Sequence, residues 1–132
     1  MRLRVRASFA ISTSGVEERD QGNRESELVV DTHAEGGTMT FLIPANAVNT
    51  NVQHPQVATG KFLFLRGFAA DPNQPPVEMT VRRNSTGGDA WPLTPIDGLE
   101  SILVLATSGL TALYVSNPTA TPMRLTVGMT GD

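Results

Sequence analysis

The amino-acid sequence predicts an all-β chain, a two-sheet antiparallel sandwich of about eight strands with a jelly-roll-like path. Three observations carry this expectation. Residues 99–129 hold three strand-like runs, Leu99 to Ala106, Leu110 to Val115 and Met123 to Met129, punctuated by Ser108-Gly109 and Asn117-Pro118. At the N-terminus, Leu3, Val5, Ala7, Phe9 and Ile11 alternate with Arg2, Arg4, Arg6, Ser8 and Ser12, which is the two-residue period of a strand with one covered face. Nowhere do apolar residues recur at i, i+3, i+4 and i+7 over a helix-sized window.

The first strand is expected over residues 2–12. A polar segment, Thr13 to Glu27, comes next with seven charged residues, five of them acidic, and reads as a long loop or arm that orders on a partner. Leu28 to Thr32 is a second strand, and Thr38 to Ile43, stopped by Pro44, is a third. Ala45 to Thr59 reads as irregular connection. Lys61 to Arg66 is apolar on both faces, which places it inside a sheet. Pro72, Pro75 and Pro76 stiffen the next loop. Val77, Met79 and Val81 then alternate with Glu78, Thr80 and Arg82 to give a strand with one solvated face, and Trp91 to Pro95 is extended.

One domain over residues 1–132 suits this length, which buries roughly two-thirds of the unfolded chain's surface without staples. With no Cys there is neither a disulfide framework nor a thiolate metal site. A net charge of −3 provides no field for nucleic acid, and no run approaches the ~20 apolar residues of a membrane span. A soluble protein made in the cytoplasm is expected, with no nucleic-acid or membrane partner. Nine of the ten basic residues are Arg, which fits an interface-forming protein; GC-rich coding would give the same bias.

Catalytic constellations are scarce. Asp31 and His33 share a face of a strand but lack a third metal ligand, and His54 in Gln53-His54-Pro55 has no nucleophile or orienting acid beside it. No Gly-x-Ser-x-Gly elbow occurs, and Glu17-Glu18 lies in the polar segment, without the fixed spacing of glycosidase carboxylates. Thr107-Ser108-Gly109 reads as a hairpin turn, and Asn84-Ser85-Thr86 matches the N-glycosylation pattern, which recurs by chance. No cofactor, metal site or enzyme activity is expected. Surface contact is assigned instead to the Arg row Arg2, Arg4 and Arg6, to Glu17, Glu18, Arg19 and Arg24 of the arm, and to Trp91 as a core lid or interface anchor.

Gly109 to Thr119, succeeded by Met123-Arg124-Leu125-Thr126-Val127 and the closing Gly131-Asp132, resembles the C-terminal part of small β-sandwich virion proteins of tailed bacteriophages; Gly60 to Gly67 is similar in style. The resemblance implies a non-enzymatic capsid decoration (cement) protein, a homotrimer at the virion surface that bridges major capsid subunits. A neck or tail component is the structural alternative, and a carbohydrate-binding module the alternative from another class. Replacing Arg2, Arg4 and Arg6 together by Ser is expected to lower the mass or salt resistance of the oligomer in light scattering; unchanged behaviour removes that contact.

Overall fold

The computed structural model describes residues 2–9, 12–13, 16–17, 24–31 and 35–132, with side chains from residue 36 onward. Strands are β1 (Arg2–Phe9), β2 (Ser12–Thr13), β3 (Val16–Glu17), β4 (Arg24–Asp31), β5 (Glu35–Ile43), β6 (Thr50–Asn51), β7 (Gly60–Ala69), β8 (Met79–Arg83), β9 (Ala90–Leu93), β10 (Ser101–Leu110), β11 (Leu113–Ser116) and β12 (Met123–Gly131). There is no helix among the described residues, as the absence of helical periodicity predicts. The chain divides into two compact units, Met1–Thr32 and His33–Asp132.

In the first unit, β1 pairs antiparallel with β4, and β2 with β3. Part of the segment 13–27 expected as a loop is therefore strand: Val16–Glu17 pairs back onto Ser12–Thr13, and pairing along β4 begins at Arg24, four residues earlier than the apolar run Leu28 to Thr32 indicates. The register sets Arg2 opposite Asp31, Arg4 opposite Val29 and Arg6 opposite Glu27. Residues 18–23, which include Glu18 and Arg19, lie outside the described residues, as does His33.

The second unit holds eight strands in two four-stranded antiparallel sheets, in the orders β10-β7-β12-β5 and β6-β11-β8-β9. The first of the eight pairs with the last, β5 with β12, and the nesting continues inward as β6 with β11, β7 with β10 and β8 with β9. Successive nested pairs fall alternately in the two sheets, and rolling the long hairpin adds the pairs β7 with β12 and β8 with β11. This path is a jelly roll. Lys61 to Arg66, apolar on both faces, sits on β7 between β10 and β12, the internal position its pattern predicts.

The core is the space between the sheets. Met123, Leu125, Val127 and Met129 project from β12, Leu63 and Leu65 from β7, and Ile43 from β5, against Met79 and Val81 of β8, Leu93 of β9, and Leu113 and Val115 of β11, all fully buried. Arg124 and Arg66, at intervening positions, are exposed. Gly67 is on the inner face because the sheets leave no room there: a Cβ would lie 2.9 Å from Met79 Cε and 2.6 Å from Ser101 Oγ. Two connections cross between sheets where tight hairpins are the simpler reading of the sequence. Thr107-Ser108-Gly109 is not a hairpin turn but the irregularly paired end of β10, with Gly109 at φ 71°, and the chain then crosses at residues 111–112 to β11 in the opposite sheet. Asn84 (φ 60°) pins this crossing, its Oδ1 accepting from the amides of Thr111 (2.8 Å) and Ala112 (3.3 Å) while its Nδ2 donates to the Gly109 carbonyl (2.9 Å). At the β11–β12 crossing the buried Asn117 donates to the carbonyls of Pro44 (3.2 Å) and Thr121 (2.8 Å) and accepts from Thr119 N (3.1 Å).

The end of the roll is closed by backbone contact. Thr59 and Asp132 exchange N–H···O bonds of 2.6 and 3.0 Å, and the side chains of Lys61 and Asp132 pair beside them. A Cβ on Gly131 would fall 2.0 Å from the Thr59 carbonyl oxygen, a clash with backbone that no rotamer relieves. Gly131→Ala is expected to destabilise the fold by about 2–4 kcal/mol in equilibrium denaturation, because strands must separate to admit the methyl group. Stability within ~0.5 kcal/mol of the parent, the range of an innocuous surface change, would contradict this packing.

Candidate binding surface

Of the seven large apolar side chains exposed among the described residues, four gather around the entry to β10, while Met39 and Leu42 lie on β5 and Val48 in the loop after it. The turn Ile96-Asp97-Gly98-Leu99 closes with a 2.9 Å bond from Leu99 N to the Ile96 carbonyl, and both central residues have positive φ, 51° at Asp97 and 72° at Gly98. That is a primed turn of the Asp-Gly kind, for which two left-handed residues are required. It holds Ile96 and Leu99 out at 64% and 68% exposure. Ile102 (53%) and Val104 (43%) continue the strip along the outer face of β10.

Facing this turn is the segment 70–78. Asp71 Oδ1 accepts from Asn73 N at 2.9 Å and its carbonyl from Gln74 N at 3.0 Å, making an Asx-type turn around Pro72, while Pro75 and Pro76 restrict the backbone leading into β8. Ala70 N is bonded to the Pro122 carbonyl at 3.1 Å. Between the two loops lies an open groove of about 830 Å³, lined by Phe68, Pro72, Pro75, Ile96, Leu99 and Ile102 among others. Glu100 is the one charged residue of its lining, and it is paired with Arg66, whose guanidinium carbon also lies 5.3 Å from the centre of the Phe68 ring. The groove is thus apolar, with its carboxylate neutralised at the rim and its walls held by backbone constraint. Such a surface suits apolar side chains of an extended partner segment.

Trp91 sits on β9, opposite Val81 in register, and is half-buried. Arg83 lies over its ring at 5.3 Å and donates from Nη1 to Thr107 Oγ1 of β10 at 3.2 Å, linking one sheet to the other across the indole. Arg83 thereby covers one face of the ring. His54 is buried, its Nδ1 accepting from Gln56 N at 3.2 Å within its own loop. Among the described residues no group of three or more His, Cys, Asp or Glu could hold a metal ion. Asn84 of the glycosylation pattern spends its side chain on the β10–β11 crossing.

Of the residues assigned to surface contact from sequence, Arg2, Arg4, Arg6, Glu17 and Arg24 fall on the paired strands of the first unit and Trp91 on β9 of the second. The groove was not among those assignments. Its signal was present in the Asp97-Gly98 dipeptide between two apolar residues, Ile96 and Leu99, which marks a turn that must expose its flanks. No family model, curated protein or solved structure matches this chain. The chain has one Trp, so its emission reports Trp91 on β9 alone. Arg83→Ala is expected to shift that emission to the red and raise its quenching by acrylamide; an unchanged spectrum would place the guanidinium elsewhere.

Proposed function

We propose that this chain is a structural protein acting through mated surfaces, and specifically a virion decoration protein: a symmetric homo-oligomer bound across neighbouring major capsid subunits. The observation that carries this reading is the apolar groove between the 70–78 and 94–100 loops, exposed on a jelly roll whose connections are fixed by proline, Asx and primed-turn geometry. Rigid loops bind with less ordering entropy to overcome, which favours a part that is to stay attached. The resemblance of Gly109 to Thr119 and of Met123 to Val127 to phage virion proteins supplies the capsid as partner.

In this role the protein does mechanical work. An extended segment of one shell subunit seats its apolar side chains against Phe68, Pro72, Ile96 and Leu99, and the charged strands of the first unit reach a neighbouring subunit. Each attachment is individually modest, and a symmetric oligomer on a symmetric lattice multiplies them. Separating two capsomers then requires releasing several contacts together. A neck or tail ring uses the same surfaces at lower copy number.

The test is co-sedimentation with purified shells that lack their decoration protein. Leu99→Asp is expected to weaken attachment roughly tenfold or more, since it places a charge in an apolar contact, while the unfolding free energy stays within ~0.5 kcal/mol of the parent because Leu99 is exposed. Full occupancy by the variant, or no attachment by the parent protein, contradicts the reading.

A further inference from the structure

The four edges of the two sheets are not alike. β6 is two residues long and β9 four, with Pro92 removing a donor from its ladder. Short strands and prolines are ways of blunting an edge that would otherwise pair with another chain. β5 is longer, and it enters through Glu35-Gly36-Gly37, where charge and glycine weaken a strand template. β10 carries no such protection. Its ten residues, Ser101-Ile102-Leu103-Val104-Leu105-Ala106-Thr107-Ser108-Gly109-Leu110, include no charge and no proline. Among the described residues β10 forms a ladder with β7 alone, so its other side presents an open row of backbone N–H and C=O groups.

The usable part of that row is bounded. Pairing with β7 is regular from Ser101 to Ala106 and becomes irregular between Ala106 and Leu110. Arg83 at the end of β8 and its neighbour Asn84 bind Thr107 and Gly109, drawing this end of the strand toward the other sheet. The straight, free edge is therefore Ser101 to Ala106, with Ile102 and Val104 half-exposed on its outer face.

We infer that this edge pairs with the same edge of a second copy, antiparallel about a two-fold axis normal to the sheet. An open backbone row is satisfied in a directed way by another strand, which sets the occupant apart from a small ligand. The absence of charge selects the second copy. In a two-fold antiparallel pair each residue faces one from the same short segment, so any Lys, Arg, Asp or Glu there would set like charges near one another, and Ser101 to Ala106 has none. The rotation preserves faces, so Ile102 and Val104 of one copy meet Ile102, Val104 and Ala106 of the other on the outer face. The two four-stranded sheets become one continuous sheet across the dimer. The groove meets this edge at Ile102, which lines both, whereas Leu99 and Pro72 belong to the groove alone and Val104 to the edge alone, so shell binding is read through Leu99 and self-pairing through Val104.

Solution mass by light scattering tests this. The parent protein at tens of micromolar is expected at twice the chain mass, and Val104→Lys at one chain mass, its dimerisation weakened roughly tenfold or more by paired ammonium groups. Hydrogen exchange on the unmodified protein gives a reading that needs no variant: amides within Ser101 to Ala106 lose protection on dilution while those of β12 keep theirs. A single-chain or three-chain mass for the parent, or exchange in Ser101 to Ala106 that is independent of concentration, overturns the pairing. Neither result touches the attachment of the protein to shells, which is read separately through Leu99.

Discussion

Burial of the inner row of β12 governs this structure. Met123, Leu125, Val127 and Met129 are wholly withdrawn from water, and the strand that carries them hydrogen-bonds β5 on one side and β7 on the other. Each such side chain contributes on the order of 2 kcal/mol through transfer from water. The strand is the last of the roll, and its partner β5 is the first, so the pairing closes a loop that spans the whole second unit. Long-range closure of that kind has an entropic cost that local turns cannot offset. It holds because the opposite sheet supplies Met79, Val81, Leu113 and Val115 against the same layer, so that both sheets lose their cover together if either moves.

The tightness of that layer accounts for the remaining constraints. Gly67 and Gly131 occupy places where a methyl group would strike a neighbour, and Asn84 and Asn117 tie two of the crossings from sheet to sheet, β10–β11 and β11–β12. Polar side chains of this sort are held in place because the donors and acceptors they bring are answered by backbone. In the proposed reading, function falls to a proline-walled groove and a charge-free edge of the roll and, in the first unit, to strands whose register sets Arg2 and Arg6 opposite Asp31 and Glu27.

Much of the fold was legible in the sequence, because two-residue periodicity is a direct record of which side chains meet the core. Met79 and Val81, alternating with Thr80 and Arg82, announce β8, although the alternation starts at Val77, two residues before the strand, and the doubly apolar Lys61 to Arg66 announces an internal strand. What periodicity does not record is which sheet receives the chain after a turn. Ser108-Gly109 says only that the backbone bends; the crossing to β11 is decided by Asn84, which is 27 residues from Thr111 in sequence. β6 escaped notice because Thr50 and Asn51 are two polar residues with no pattern to show, and they pair only because Val115 and Tyr114 lie across from them. The groove was hidden for a different reason. Its walls, Pro72 and Leu99, come from separate loops that meet only after rolling, and exposed apolar residues look in sequence like the start of a strand.

In the proposed reading this protein works through the surfaces around the entry to β10. Electron cryomicroscopy of its native assembly tests that most directly. Ile96, Leu99, Ile102 and Val104 are expected in contact with protein, the last two against a second copy. An assembly in which all four remain in open solvent would contradict it.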